Sequence, residues 1–304
     1  MAFTVTQPQF NGTDAGFFIS AALKQAKSLE FLTVLENIKY EQNIQKMAGS
    51  GLVLDNNCTY DSQGTLALTE ATLSPKSLQI NLDICKDTLL TSWNSLNMSA
   101  GRTANAPVSF EDYVIAYMGE IIADATESSV WQGAAGTPGE FNGFTSYWLT
   151  AGTDPTVVQS AASGAYTAGN ILANLQTLVD SITGGTANNV LGKEDAYIFM
   201  NNKVWQFYVQ AMAALTGVPY MSMNEDWTPI FQGIKIAVVP GMIDNKMVFA
   251  EKSNLYFGTD LLSDSTRISL LDMAPVTGDD TIRMVARYTA GVVAGIGADV
   301  VMQS

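Results

Sequence analysis

The spacing of apolar and polar positions changes several times along the 304-residue chain, and each change marks an expected element. Residues 1–35 begin polar and extended. Phe18, Ala22, Leu29 and Leu32 then recur near a 3.6-residue period, which predicts a helix. From 36 to 80 the pattern shortens to alternating runs such as Leu66-Ala67-Leu68-Thr69, punctuated by Gly49, Gly51, Gly64 and the turn-rich Asp55–Asn57 and Tyr60–Gly64. This predicts a long β-hairpin with few large apolar residues for its length. A two-stranded hairpin is marginal alone in water. Either its own domain or a neighbouring subunit must give it a surface.

Leu78, Ile80, Leu82 and Ile84 alternate as a strand, and a short helix with Trp93 is expected near Asp87–Leu96. The strongest element follows. Ser109 is an N-cap candidate, with Glu111 and Asp112 at the positive end of the helix dipole. Phe110, Tyr113, Val114, Tyr117, Ile121, Ile122 and Ala125 make one apolar stripe. From Phe110 to Trp131, ahead of Gly133, this helix would run roughly 33 Å.

Residues 132–168, rich in Gly, Ala, Ser and Thr, read as loops with short strands. A second helix starts near Asn170, with Ile171, Leu172, Leu175, Leu178, Val179 and Ile182 on one face and Gly184-Gly185 as its stop. Ala196–Met200 reads as a buried strand, and Asn201 or Asn202 as the cap of a helix over Val204–Leu215. Further strands are expected at Ile234–Val239, as a pair around Lys252-Ser253-Asn254 within Met247–Leu262, and at Ile268–Asp272 and Thr281–Tyr288 with a turn at Gly278-Asp279-Asp280. A last strand falls near Asp299–Met302. The fold class is α+β.

Composition narrows the chemistry. Apolar residues make up 47% and mean hydropathy is +0.12, enough for a sizeable core. Fifteen Lys and Arg against 29 Asp and Glu give a net charge of −14, so neither broad nucleic-acid binding nor an acidic membrane surface is expected. There is no histidine, which removes Ser-His and Cys-His pairs, HExxH helices and histidine zinc sites. Cys58 and Cys85 are too few for a four-cysteine zinc site and read as small hydrophobes. Met1–Phe10 carries no positive charge and no apolar stretch has membrane-spanning length, so a soluble chain used without export is expected.

The remaining motifs fail on inspection. Gly49-Ser50-Gly51 and Gly295-Ile296-Gly297 open like dinucleotide loops, but Leu54 and Val300 stand where the third glycine belongs. Asp55–Thr59 opens like a calcium loop, yet Tyr60 and Leu66 replace its glycine and glutamate. Glu120, Asp124 and Glu127 share a helical face, read as a solvated one. Asn11, Asn57 and Asn97 head Asn-x-Ser/Thr triplets that carry no weight without a secretion signal. No catalytic, cofactor-binding or metal residue is assigned, no cofactor is expected, and the chain is read as no enzyme.

In order, these elements resemble the major capsid protein of tailed phages, the Hong Kong 97-type capsid fold. The resemblance is carried by Leu73–Leu90 as the strand entering the peripheral domain and by Phe110–Gly133 as the spine helix. Ala196–Leu215 follows as strand, Asn turn and helix, then Gln232–Val239 and Ala250–Leu262 as axial strands, and Thr281–Gly295 as the closing strand. It implies an N-terminal arm at 1–35, an E-loop at 36–80, a peripheral domain at 81–132 and 265–304, and an axial domain at 133–264. The implied function is a structural subunit assembling as hexamers and pentamers into an icosahedral capsid around a dsDNA genome. Implied partners are the chain itself, with scaffold, portal and decoration proteins, and neither sequence-specific DNA contact nor a membrane. Assembly would take place in the host bacterial cytoplasm and the product would be the virion. Met1 lies 35 residues before the hairpin, which favours a separate scaffold or none. Lys39 and Lys46 fall in or near the hairpin, but no motif assigns them to a crosslink. The alternatives are an encapsulin-type compartment shell and a histidine-free hydrolase using Glu120 and Asp124.

Overall fold

The computed structural model describes residues 27–50, 64–85, 121–149, 157–215, 229–260 and 268–304. In chain order the strands are β1 (Thr33–Glu36), β2 (Gln42–Ser50), β3 (Thr65–Leu73), β4 (Lys76–Cys85), β5 (Val158–Ser160), β6 (Ala196–Met200), β7 (Ile230–Phe231), β8 (Ile234–Val238), β9 (Met247–Glu251), β10 (Leu255–Thr259), β11 (Ile268–Asp272), β12 (Thr281–Ala294) and β13 (Val301–Gln303). The helices are α1 (121–132), α2 (Phe144–Leu149), α3 (Ile171–Thr183), α4 (Asn202–Ala214) and α5 (Ala274–Thr277).

Three sheets result. β2 and β3 form a two-stranded ribbon. A five-stranded sheet runs β1-β10-β12-β11, with β4 also paired to β12, and a six-stranded sheet runs β5-β13-β9-β6-β8-β7. β6 and β9 are buried on both faces, which explains their unbroken apolar sequences. Ile198, Met200, Met247 and Phe249 join a core with Ile171, Leu175, Leu178 and Ile182 of α3 and with Val204 and Tyr208 of α4. Phe199, Val248 and Ala250 point the other way, into a core with Trp131, Phe141, Phe144, Trp148, Leu255 and Phe257. The six-stranded sheet is thus a partition between two cores.

Local chemistry sets the helix ends. The Asn201 side chain accepts from Val204 N–H at 2.8 Å while its Nδ2 donates to Asp244 at 2.6 Å, fixing the start of α4 as its sequence predicts. Lys203 also donates to Asp244 at 2.7 Å, and these bonds hold the Asp244 carboxyl below the usual aspartate range. α3 ends where Gly184 N–H donates to the Asp180 carbonyl, as expected from Gly184-Gly185.

Four expectations change. The helix drawn from Phe18 to Leu32 becomes, over its described part, a 3₁₀ turn at Lys27–Phe31 running into β1. Parallel pairing of Thr33–Glu36 with Tyr256–Thr259 overrides the helical period there. The expected long helix is described over 121–132, its earlier part lying outside the described residues as does Asp87–Leu96. Within it Ile122 is buried but Ile121 and Ala125 are exposed, so the stripe lies slightly rotated. The strands around Lys252-Ser253-Asn254 do not pair with each other; β9 belongs to the six-stranded sheet and β10 to the five-stranded one. Asn254 makes the crossing, accepting from Ile296 N–H at 2.7 Å and donating to Ile296 O at 2.8 Å. Finally β12 runs to Ala294 because its second half acquires β10 as a partner. The last strand, β13, sits in the six-stranded sheet.

Candidate assembly surface

The β2–β3 ribbon leaves the body at a tightly built base. Asn37 turns the chain out of β1 with φ 61°, a left-handed value that asparagine tolerates. Ile38 N–H donates to Thr259 O at 3.2 Å, and Thr289 Oγ1 donates to Ile38 O at 2.6 Å. Leu73 is fully buried against Gly258, where an added Cβ would stand 2.5 Å from Leu73 Cδ2. An added Cβ at Gly291 would stand 2.9 Å from the Pro75 backbone. Lys76 Nζ donates to the carbonyls of Ala135, Thr137 and Glu140 at 2.8, 3.3 and 2.7 Å, tying the loop after α1 to the start of β4. These contacts anchor the base of the ribbon to the five-stranded sheet.

Its register pairs Gln42 with Leu73 through to Ser50 with Thr65, nine positions a strand, or roughly 30 Å at the antiparallel rise. Because Met47 pairs with Leu68 and Gly49 with Leu66, the side chains of Asn43, Gln45, Met47, Leu66, Leu68, Glu70 and Thr72 share one face. Near the base this face is polar and ordered: Asn43 Nδ2 donates to Glu70 at 3.0 Å and Thr72 Oγ1 donates to Asn43 Oδ1 at 3.0 Å. Further out it is apolar and open, with Met47 69%, Leu66 64% and Leu68 57% exposed. Sequence reasoning anticipated the hairpin but not this segregation, which only the register reveals. Leu271 on β11 of the five-stranded sheet and Val276 on α5 after it are also exposed apolar residues. Beside them Arg283 donates two bonds to Asp83 across β12 and β4, at 2.7 and 2.9 Å, holding that carboxyl below its usual range.

The other residues singled out in the sequence make no chemical site. Glu127 is the correction: it is 1% exposed, with its carboxylate turned into the body, while Asp124 is exposed on the same helix. The expected solvated face does not include Glu127. Glu120, Cys58, Asp55–Thr59, Asn11, Asn57 and Asn97 lie outside the described residues. Cys85 is a free, exposed thiol at the end of β4. Gly295 is a close-approach glycine, an added Cβ meeting Asn254 Oδ1 at 3.1 Å. Lys39 precedes the ribbon and Lys46 stands opposite Thr69 in its register. Among the described residues no group of three or more Cys, Asp or Glu could hold a metal ion, and no helix is long and apolar enough to cross a membrane.

No protein-family model matches the chain, and no curated protein matches it. Solved structures do. The capsid of Myoviridae phage XM1 superposes with a TM-score of 0.63 at 11% identity, over 96% of this chain and 96% of that one. The capsid of a native GTA particle gives 0.60 at 15% identity, over 98% and 95%. The capsid of cyanophage A-1(L) gives 0.60 at 15% identity, over 95% and 94%. Likeness along nearly the whole of each chain, with so little shared sequence, lies in the fold: this chain has the tailed-phage capsid fold, an α+β arrangement.

Proposed function

We propose that the chain is the structural subunit of a tailed-phage head, assembling through copies of itself as hexamers and pentamers into an icosahedral shell that encloses dsDNA. The observation carrying this reading is the ribbon face of Met47, Leu66 and Leu68, held out from the body on a rigid base with its apolar side chains uncovered. A monomer that kept this face in water would retain an aggregation-prone surface; a neighbouring copy in a closed lattice removes it. In this reading the ribbon is the E-loop, the five-stranded sheet with α1 is the peripheral domain, and the six-stranded sheet with α3 and α4 is the axial domain. β10 and β13 then sit across the boundaries drawn in the sequence at 133–264 and 265–304. The subunit is structural and carries no enzymatic activity, its place is the virion, and it holds DNA without reading its sequence. Scaffold, portal and decoration proteins are its further partners.

The test is light scattering on the purified full chain, with negative-stain microscopy of the same peak. Hexamers, pentamers or uniform hollow shells are expected. Removing residues 45–65 should leave a folded subunit that no longer closes shells. A monomer that ignores scaffold and crowding agent, or shells that survive the deletion, would overturn the reading.

A further inference from the structure

Glu127 sits where three parts of the chain meet: the Lys27–Phe31 turn, α1, and the Pro240-Gly241 bend between β8 and β9. Oε2 accepts from Ser28 N–H at 2.9 Å, and Oε1 accepts from Ser28 Oγ at 2.7 Å and from Gly241 N–H at 3.2 Å. Ser28 Oγ in turn accepts from Trp131 Nε1 at 2.6 Å, and Gln132 Nε2 donates to Gly241 O at 2.8 Å. Ser28, Glu127 and Trp131 are all buried, at 0%, 1% and 0% exposure. Among the described residues Glu127 makes no ion pair. Its donors among the described residues are a hydroxyl and two backbone N–H groups, an arrangement that suits an acceptor. The bend is moulded to it, since an added Cβ at Gly241 would lie 2.0 Å from the Glu127 carbonyl oxygen.

We propose that Glu127 is a latch. Its carboxylate fastens the Lys27–Phe31 turn, and β1 behind it, onto α1 and the 240–241 bend, so that losing this one acceptor frees Ser28 without unfolding either large sheet. The separation follows from the packing. β1 contributes a four-residue pairing to the five-stranded sheet, and Leu29, Phe31 and Leu32 pack on the outer side of the core that holds Phe199, while the core between the six-stranded sheet and α3 and α4 contains no residue of 27–36. The latch stands independently of the shell reading, because every contact in it lies within one chain.

Glu127→Gln tests it. The amide is isosteric, but whichever way it turns, its NH₂ faces an N–H or O–H donor. Hydrogen exchange followed by mass spectrometry on the full chain should show peptides covering 28–36 exchanging about tenfold faster, with β6 and β9 peptides unchanged. Trypsin should cut after Lys27, exposed beside the buried Ser28, with a similar rise in rate. Ser28→Ala, which removes the Oγ that donates to Glu127 and accepts from Trp131 while keeping the backbone N–H bond, should give a two- to threefold effect in the same peptides, and carries the test if the glutamine variant does not fold. Unchanged protection of 28–36 in both variants overturns the latch. So does equal acceleration of 28–36 and 196–200, which would make Glu127 a general stabilising contact.

Discussion

Replacing the outer ribbon face in one variant, Met47→Ser with Leu66→Ser and Leu68→Ser, separates folding from assembly. In the single chain these side chains are 69%, 64% and 57% exposed, so the subunit gains little from them. Substitutions at such positions usually fall within about 0.5 kcal/mol, and the melting temperature of the isolated subunit should hardly move. In a contact that covers them, each would bury the better part of a side chain worth about 1.5–3 kcal/mol when fully buried, so the three together contribute on the order of 4 kcal/mol. That corresponds to roughly a thousandfold in association per ribbon. In the proposed shell every copy both extends a ribbon and receives one, so a closed lattice multiplies the loss. The assay is the critical concentration for shell formation by light scattering, alongside thermal melting of the unassembled protein. A raised threshold or no shells at all, with unchanged melting, is expected. Shells at the same threshold would refute the reasoning, and a large fall in melting temperature would show that the face supports its own fold instead.

Other consequences are confined to the subunit. Gly241→Ala drives a Cβ to 2.0 Å from the Glu127 backbone and should destabilise by about 3 kcal/mol or more, read as a melting temperature lower by roughly 6–12 °C. Gly136→Ala, with nothing within 4 Å, is the matched control and should be neutral. Lys76→Met keeps the aliphatic stem and removes the ammonium from three carbonyls, with an expected loss of about 1–2 kcal/mol and faster proteolysis within 134–142. Burial pushes the phenols of Tyr166, Tyr208 and Tyr288 up. Groups whose folded values are raised contribute stability that is complete below the ordinary tyrosine value of about 10 and is lost as pH climbs through the raised values. Phenolate absorbance should therefore show these three ionising only together with alkaline unfolding; early, independent titration of all eleven tyrosines would contradict the burial argument.

Elements whose signals are local were legible in the sequence. α3 and α4 have their caps and breakers within a few residues, and Ala196–Met200 has the composition of a strand buried on both sides. What the sequence hid depends on distant partners. Met247–Leu262 reads as a hairpin until Asn254 is seen bonded to Ile296, 42 positions on. Thr33–Glu36 is a strand because β10 pairs with it. Glu127 fits a solvated face by helical period alone; its real environment is Ser28, 99 residues earlier, and Gly241, 114 residues later. The ribbon lies between these cases. Its existence follows from turn residues and alternation, but the gathering of Met47, Leu66 and Leu68 on one side needs the pairing register, which alternation within each strand does not set.

β12 also imposes a timetable. Among the described residues β12 is the strand that pairs with β4, β10 and β11, and its partner residues on β4 lie about 200 positions earlier. At a synthesis rate of about 5–20 residues per second, β4 waits on the order of 10–40 s on the ribosome before the strand that fixes it emerges. Until then the ribbon base has neither Thr289 nor Gly291 to set its direction. A chain broken off before residue 281 can present the ribbon's sequence but not its aim. Completion of β12 thus has to precede any fixed orientation of the ribbon base.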